Sequence, residues 1–564
     1  MFRWVCIFSA VFILGFFSRS YGQDYQTKNI YLADSVIQVR GEVYFSFEEK
    51  ALSGELVKIL SIEKISNRTV FAYANLKGFS QFLSKKIDFQ LQPENFFKSR
   101  LKSQDMKSLN AVYPSYPKYI SLLKGLKNSY SSICKLYDIG LSVKGRKMEA
   151  LKIASSTGTY KTRPALFLTS SIHGNELTGY KLLLWLSEYL LSHYGKDALV
   201  TKLVDETEIW INPLANPDGT YFGGDSSVIE ATRFNANGVD LNRNFPDPAD
   251  GDHPDNLDRQ PETQAMMDFY KAHNIKLSAN LHTGVQVVNY PWDTWKHVHA
   301  DDAWYRYISR QYANTAQVAS GNTYMNSSKN GFENGIVNGY QWYRITGGRQ
   351  DYVNYFLGGR EVTIELSEEG MPDSASLANY WEYNRNALLQ FLEQSLFGIW
   401  GKVTDSQNGN SVRALVELLG YDKDNSHIFS DSLNGSFYRY LMEGEYDMQF
   451  AAEGYESEYI ENFAVRNGER VFWDIKLNKI NSRDIVYPNP FKDEIYIELK
   501  NDKSSNVEYE ISVFNNVGKE IFSNTIYDTS GVPQKITLPM TNQGVYYLKV
   551  IGAKNSLVYK IIKQ

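Results

Sequence analysis

Strand-like and helix-like patterns of apolar residues alternate along the middle of the chain, over residues 106–396. Apolar runs of strand length, separated in several places by helical patterns, occur at 148–153, 165–170, 207–212, 276–282 and 361–366. A last helix is predicted at 377–396. Since strands that alternate with helices assemble into mostly parallel sheets, we predict one α/β domain, with a mixed, largely parallel sheet and helices on both faces.

A shorter region before this domain, residues 23–105, is predicted to be a small α+β domain. Strand patterns at 43–47, 69–73 and 87–91 enclose helical patterns at 52–60 and 76–83. Because the region precedes the larger domain, two interpretations are open: an inhibitory prosegment, or a plain structural module.

After residue 396 apolar residues recur at every second position, broken by Gly and Asn turns. This period is typical of half-buried strands. We therefore predict two all-β sandwich domains, one at 397–478 and one at 479–564.

The first 22 residues have the features of a secretory signal peptide, with Arg3 followed by an apolar stretch over 5–17. The alternative, an uncleaved membrane anchor, needs a longer apolar run. No later stretch is apolar enough to span a membrane, so no transmembrane segment is expected after signal removal. Cys6 would leave with the signal, so Cys134 would remain alone and no intrachain disulfide could form.

Composition narrows the classes of function. Hydrophobic residues make up 43% of the 564 residues and charged residues 22%, as in ordinary globular proteins, so disorder is not expected. The net charge is −5, and no run of Lys and Arg is long enough for a nucleic-acid footprint. Nucleic acid is therefore not expected as a partner.

Candidate metal ligands lie at the ends of two predicted strands. His173 and Glu176 follow strand 165–170, at the carboxyl edge of the sheet, where open α/β folds bind ligands. His282 ends another predicted strand. Two His and one carboxylate with an open fourth position form a common catalytic zinc site, so we predict one zinc ion per chain. The alternative for His282 is a histidine hydrogen-bonded within the core.

A polar loop between these ligands adds candidate binding groups. Arg233 and Arg243 offer a planar fork that matches a carboxylate with two hydrogen bonds, and Asn242 adds a neutral donor. Asp240, if it lies near His173, would hold the far nitrogen of that ring.

Glu365 is a carboxylate within an apolar predicted strand. Burial of such a group is costly unless it is paired or has a chemical role. In a chemical role it would act as a general base, taking a proton from the attacking water and passing it to the leaving amine. Tyr343, earlier in the chain, could close over the substrate.

The order His-x-x-Glu, Arg, Asn-Arg, His, Tyr, Glu resembles that of the zinc metallocarboxypeptidases of the carboxypeptidase A/B family, and most of all their regulatory branch (carboxypeptidases E, N, M and D). The Asp-Leu-Asn-Arg-Asn-Phe-Pro motif of that branch stands unchanged at 240–246. Further matches are Trp342-Tyr343, Gly347-Gly348, Gln350-Asp351 and Asn354-Tyr355. The resemblance covers 111–478 and implies the metallocarboxypeptidase fold, followed by a transthyretin-like sandwich.

The resemblance implies hydrolysis of the C-terminal peptide bond by Glu-assisted attack of zinc-bound water. The residues implied are His173, Glu176 and His282 as zinc ligands, Arg233 as the group that holds the oxyanion, Asn242, Arg243 and Tyr343 as the grip on the terminal carboxylate, and Glu365 as the base. In one departure, the glycine pair that usually follows the third ligand is here Thr283-Gly284.

Substrate choice is predicted from Asp293. In the regulatory branch an Asp eleven residues after the third ligand faces the terminal side chain; Asp293 has this spacing, and Gln350 matches a helper residue. A buried Asp selects Lys or Arg because an apolar side chain would leave it unpaired. The alternative is that Asp293 caps a turn. By the same resemblance the bond between Pro291 and Trp292 is predicted to be cis.

The last domain resembles the C-terminal sorting domain of bacterial proteins exported by the type IX system. It begins with Tyr487-Pro488-Asn489-Pro490-Phe491 and ends in a Lys-rich strand pattern. The resemblance implies the secretion machinery as a partner, and a secreted or surface-attached protein outside the outer membrane. The alternative is an ordinary β-sandwich.

Two other functions are alternatives to a secreted carboxypeptidase that prefers terminal Lys or Arg. One is a catalytically silent peptide- or surface-binding module, against which the intact Glu365 and Arg233 argue. The other is a cell-wall peptide hydrolase on the same fold, against which the carboxylate grip and Asp293 argue. The expected partners are therefore peptides and proteins with free C-termini.

Overall fold

The computed structural model divides the chain into two compact units, Met1–Ser99 and Arg100–Gln564. The residues it describes are 22–92, 112–156, 162–328, 332–479, 485–498, 508–527, 533–539, 542–552 and 556–563. The predicted signal peptide lies outside them, except for Gly22, which begins the first helix.

The N-terminal unit has one helix followed by a β-α-β-β-α-β arrangement. Its elements are α1 (Gly22–Arg40), β1 (Val43–Glu48), α2 (Gly54–Ile59), β2 (Ser61–Ser66), β3 (Thr69–Ala74), α3 (Leu76–Ser84) and β4 (Gln90–Leu91). The strands form an antiparallel sheet in the order β2-β3-β1-β4. This is the topology of ferredoxin-like domains, so the predicted α+β class is confirmed for this unit.

Aromatic rings fill the core of this unit. The ring centroid of Phe45 lies 4.7 Å from that of Phe82 and 5.3 Å from that of Phe79. Helix α3 begins at Asn75, whose side chain accepts a hydrogen bond from the N–H of Gly78 at 2.8 Å. Helix α1 and strand β2 were not predicted. The choice between a prosegment and a structural module stays open.

The first part of the second unit is an α/β domain on an eight-stranded mixed sheet. Its strands are β5 (Cys134–Leu141), β6 (Lys147–Ile153), β7 (Ala165–Ser170), β8 (Glu208–Asn212), β9 (Ile275–His282), β10 (Gln286–Tyr290), β11 (Ile336–Asn338) and β12 (Arg360–Leu366). Their order is β11-β10-β12-β9-β7-β8-β6-β5, and the central strands β12, β9, β7 and β8 are parallel. Each of the five predicted strands is found within one residue of its predicted bounds, whereas β5, β10 and β11 were not predicted.

Helices cover both faces of this sheet. They are α4 (Tyr116–Ser129), α5 (Thr178–His193), α6 (Ala198–Glu206), α7 (Pro217–Thr220), α8 (Pro261–His273), α9 (Asp302–Ala319), α10 (Gly339–Trp342), α11 (Arg349–Phe356) and α12 (Ser374–Glu393). Phe167 packs with Phe269 and Tyr270 of α8 on one face. Leu166 and Leu168 alternate with Phe167 along β7 and so point to the other face. None of the described helices is long and apolar enough to cross a membrane.

Two β-sandwiches follow, as predicted. The first contains β13 (Gly398–Asp405), β14 (Leu415–Leu418), β15 (Ile428–Phe429), β16 (Ser436–Arg439), β17 (Gly444–Ala451), β18 (Glu458–Val465) and β19 (Arg470–Leu477). The second contains β20 (Ile485–Tyr487), β21 (Glu494–Glu498), β22 (Glu508–Asn515), β23 (Glu520–Tyr527), β24 (Gln534–Thr537), β25 (Gly544–Ile551) and β26 (Ser556–Lys563). Each places a three-stranded sheet against a four-stranded sheet over a shared apolar core. The transthyretin-like assignment of the first stays a prediction.

A buried ion cluster joins the α/β domain to the first sandwich. Arg439 of the sandwich forms two hydrogen bonds with Asp301, at 2.8 and 2.9 Å. Arg360, the first residue of β12, approaches the same carboxylate at 2.7 Å. Burial alone would raise the pKa of Asp301, but the two arginines hold it well below its usual range. The strand that carries Glu365 is therefore anchored at its start to the neighbouring domain.

Candidate metal centre and substrate pocket

The turn between β7 and α5 carries the first two candidate ligands. Ser171 follows β7 in a left-handed conformation (φ 56°), and its hydroxyl donates to the backbone oxygen of Glu176 at 2.8 Å. A non-glycine residue in this region is uncommon and is found most often where a tight turn is fixed by its surroundings. The turn thus places His173 and Glu176 at the carboxyl edge of the sheet.

Only glycine fits at position 174, between these ligands. A Cβ atom added to Gly174 would lie 2.3 Å from the carbonyl carbon of Gly219. The N–H of Gly174 donates to the backbone oxygen of Arg233 at 3.1 Å. The ligand turn therefore packs directly against the loop that carries Arg233.

His282 ends β9, which lies beside β7, and so reaches the same edge of the sheet. Its Nδ1 lies 2.9 Å from Oε2 of Glu176, and Nδ1 of His173 lies 2.8 Å from Oε1 of the same carboxylate. The ligand atoms of the three residues all lie within 4.8 Å of one another, and all three side chains are buried. This set of two imidazoles and one carboxylate is the donor set of a catalytic zinc site, so the residues fit that metal.

Two charged groups surround the three ligands. Oδ1 of Asp240 lies 3.0 Å from Nε2 of His173, the nitrogen that faces away from the cluster. Arg233 donates to Oε1 of Glu176 at 2.7 Å. Burial alone would raise the pKa of Glu176, but the rings of His173 and His282 outweigh it and hold the pKa well below its usual range. The carboxylate is therefore ionised, as a metal ligand must be.

Glu365 reaches this centre through the sheet register. It pairs with His282 of β9 on one side and with Val287 of β10 on the other, and it is 8% exposed. Tyr343 lies close enough to Glu365 to be affected by its charge. Burial raises the pKa of the Tyr343 hydroxyl; the charge of Arg243 opposes this shift and that of Glu365 adds to it. The base predicted from the sequence thus lies close to a metal ligand and to the predicted substrate-covering tyrosine.

Asn242 and Arg243, which are predicted to bind the terminal carboxylate and are called the clamp below, lie in a 3₁₀ turn, Leu241–Arg243, directly after Asp240. The carboxylate of Asp240 accepts the N–H of Asn242 at 2.9 Å. Oδ1 of Asn242 accepts the N–H of Arg349 at 3.0 Å, and Arg243 donates to the backbone oxygen of Asn242 at 2.9 Å. One carboxylate therefore contacts both a candidate metal ligand and a residue predicted to bind the terminal carboxylate.

Asp293 lies in a buried polar pocket near the clamp. Its Oδ1 accepts the side-chain amides of Asn289 and Gln350, each at 3.1 Å. Among the described residues, the donors to the Asp293 carboxylate are these two side-chain amides. No backbone N–H group of a turn donates to it there. Burial raises the pKa of Asp293 to about 6, and Arg243 opposes the shift. The bond between Pro291 and Trp292 is cis, which confirms that prediction.

Three residues of this pocket were not assigned from the sequence. A Cβ added to Gly339 would lie 1.7 Å from Oδ1 of Asp293, so only glycine allows this approach. Asn289, four residues before Asp293 on β10, contacts the same oxygen. Asp351 accepts the backbone N–H groups of Asp293 and Thr294. Asp351 stands in the matching Gln350-Asp351 motif, and Asn289 lies only four residues before Asp293, whereas the contact of Gly339 is made across the fold and has no signal in the sequence.

Thr283, which stands where the related proteins usually have a glycine after the third ligand, makes a backbone contact with the candidate metal centre. The N–H of Thr283 donates to Oε2 of Glu176 at 3.2 Å, a bond that any residue except proline supplies. The replacement of glycine here therefore leaves the ligand carboxylate with the same kind of donor.

Comparison with known proteins identifies the class of the molecule. The profile of zinc carboxypeptidases matches residues 119–387. Carboxypeptidase M of Mus musculus is 33% identical over 370 residues, which is 63% of this chain and 81% of that protein. The catalytic chain of carboxypeptidase N of Rattus norvegicus is 33% identical over 405 residues, 65% of this chain and 86% of that one. The chain belongs to the zinc carboxypeptidase family, and the zinc predicted from the sequence agrees with it.

Other relatives differ in length or are more distant. Carboxypeptidase D of Anas platyrhynchos is 34% identical over 402 residues, 67% of this chain but only 28% of that longer protein. The crystal structure of carboxypeptidase A from Helicoverpa armigera is 19% identical, with a TM-score of 0.48, and covers 63% of this chain and 98% of that one. Residues 485–564 match a secretion system C-terminal sorting domain, which confirms the predicted sorting domain.

Proposed function

We propose that this protein is an exported zinc carboxypeptidase that removes a basic residue, Lys or Arg, from the C-terminus of peptides and proteins. The observation that carries the proposal is Asp293, a buried carboxylate held by two amides beside the clamp of Asn242 and Arg243. In a pocket that binds a terminal residue, such a group favours a cationic side chain.

Zinc would be held by His173, Glu176 and His282, and when bound it supplies a Lewis acid that lowers the pKa of water and polarises the scissile carbonyl. Asp240 orients the ring of His173 through Nε2, as second-sphere carboxylates do for metal-binding histidines. Glu365 takes a proton from the attacking water and delivers it to the leaving amine. Its place beside His282 in the sheet supports this role.

Arg233 and the clamp act on the substrate. Arg233, which contacts Glu176, stabilises the negative charge that develops on the carbonyl oxygen. Arg243 and Asn242 bind the terminal carboxylate and so limit cleavage to the last peptide bond. Tyr343, which lies within electrostatic reach of Arg243 and Glu365, covers the bound end.

Selection by Asp293 is expected to depend on its charge. Replacement by Ala removes both the charge and the hydrogen-bond acceptor, so the preference for terminal Arg over terminal Phe should fall by about ten- to several-hundred-fold. The measurement compares kcat/KM for two peptides that differ only in the last residue. Zinc content and hydrolysis of the Phe peptide should be retained.

Asp293→Asn is the matched variant, since it keeps the shape and removes the charge. It should lose most of the preference as well. Equal cleavage of both peptides by the wild type, or an undiminished preference for Arg in Asp293→Ala, would exclude Asp293 as the selector.

The raised pKa of Asp293 gives the preference a pH dependence. Below about pH 6 the carboxyl is protonated and neutral, so it attracts Arg no more than an amide would; above this pH it is ionised. The ratio of kcat/KM for Arg and Phe peptides should therefore rise with pH and level off above the pKa of the free enzyme. Glu365 and the metal centre act on both peptides and cancel in the ratio. A ratio that is constant from acid to neutral pH would contradict this assignment.

We further propose that the sorting domain directs type IX export and that the enzyme acts outside the outer membrane. The match of residues 485–564 to a secretion sorting domain supports this location. Peptides and proteins outside the cell would then be its substrates.

A further inference from the structure

The segment that carries the proposed selector is held by the first turn of helix α11. Asp351 in this turn is 1% exposed. Its carboxylate accepts the N–H of Asp293 at 3.1 Å to each oxygen, and the N–H of Thr294 at 2.8 Å. The neighbouring Gln350 donates to the carboxylate of Asp293 at 3.1 Å. One helical turn therefore holds Asp293 both at its backbone and at its side chain.

The same turn reaches the proposed carboxylate clamp. The N–H of Arg349 donates to Oδ1 of Asn242 at 3.0 Å. The side chain of Arg349 is fully buried and pairs with Glu361 of β12 at 2.9 Å, while its Nη1 donates to Thr169 of β7. The turn is thus fixed to the central sheet, and its consecutive residues contact both groups that would recognise the end of a substrate.

We propose that Asp351 is a positioning residue for substrate selection, which holds the backbone of Asp293 so that its carboxylate faces the terminal side chain. The inference rests on the proposed function of Asp293. Asp351 directs its hydrogen bonds to the backbone N–H groups of Asp293 and Thr294, so a buried side chain fixes the path of this segment. A recognition group must be held within about 0.5 Å of its productive position, which buried supporting contacts of this kind achieve.

The experiment replaces Asp351 by Ala and measures kcat/KM for the peptides ending in Arg and in Phe. Because a displacement of about 1 Å lowers such interactions up to about a hundredfold, the preference for Arg should fall about ten- to a hundredfold. Hydrolysis of the Phe peptide should stay within about twofold, and zinc should remain at one per chain. Asp351→Asn keeps the shape and one acceptor, so its preference for Arg should lie between those of the wild type and Asp351→Ala. If Asp351→Ala is insoluble, a reduced preference in Asp351→Asn supports the proposal and an unchanged preference overturns it.

The matched control is Asp405→Ala in the first sandwich. Asp405 is also 1% exposed and accepts two backbone N–H groups of a turn, those of Gln407 at 2.9 Å and Asn408 at 3.2 Å. Its loss should leave the preference for Arg unchanged. A parallel loss of activity on both peptides in Asp351→Ala would mean a purely structural role and would overturn the proposal, as would an unchanged preference.

A double-mutant cycle separates this inference from the proposed function. If Asp351 acts through Asp293, then Asp351→Ala should have no further effect on the preference in the Asp293→Ala background, whereas independent effects would multiply. Multiplying effects would overturn the proposal. If Asp293→Ala keeps the preference for Arg, the proposed selector itself is wrong. If Asp293→Ala loses the preference and Asp351→Ala keeps it, only the positioning role fails.

Discussion

Replacement of Glu365 by Gln should lower kcat by about a thousandfold, the scale expected for loss of a general base. The amide has the shape of the carboxylate but cannot accept the proton of the attacking water. Glu365 is buried and paired in register with His282, so the substitution should leave the sheet and the three ligands in place. The measurement is kcat on a peptide ending in Arg, together with zinc content and the affinity for that peptide.

Both zinc content and peptide affinity should be close to those of the wild type in Glu365→Gln. The matched control is Glu369→Gln, the same chemical change at an exposed residue just after β12, which should leave turnover unchanged. Near-normal turnover in Glu365→Gln would assign the base to another group. Loss of zinc together with turnover would show that Glu365 acts by supporting the metal centre.

The strands that the sequence predicted well are those buried on both faces. β7, β9 and β12 are buried at every position. In β7 the apolar run is almost continuous, and in β9 and β12 apolar residues recur at every second position, so all three patterns predict strands. Strand β5 was missed because only Cys134 of its eight residues is buried, so polar residues interrupt the apolar run. Helix α1 was missed because its sequence has no clear apolar face.

In the candidate site, too, the residues that share a local pattern could be predicted from the sequence, whereas contacts between distant segments could not. His173 and Glu176 could be placed together from the sequence because they share one turn, and His282 because parallel strands end at the same edge. The contact between Asp351 and the backbone of Asp293 has no such local pattern. It depends on where helix α11 packs against the loop after β10, which only the assembled fold determines.

Removal of one proposed zinc ligand should also have a large effect, on both zinc content and activity. In His282→Ala two ligands remain, one fewer than the three that catalytic zinc sites use. Zinc content should therefore fall from one per chain to near zero, and carboxypeptidase activity should be lost by a factor of about a thousand or more. His297→Ala is the matched control, since His297 is an exposed histidine whose bonding partner is Asp424. It should keep both zinc and activity.

Thermal stability gives a readout of the same site that does not depend on activity. A ligand that binds only the folded state at 100 times its Kd adds about 2.7 kcal/mol to the free energy of unfolding. Chelation should therefore lower the Tm of the wild type, and zinc should restore it, because His173, Glu176 and His282 converge only in the folded chain. His282→Ala should unfold at the same temperature with and without chelator. A chelated wild type that keeps full activity, or a His282→Ala protein that still holds one zinc per chain, would exclude these three residues as the metal centre.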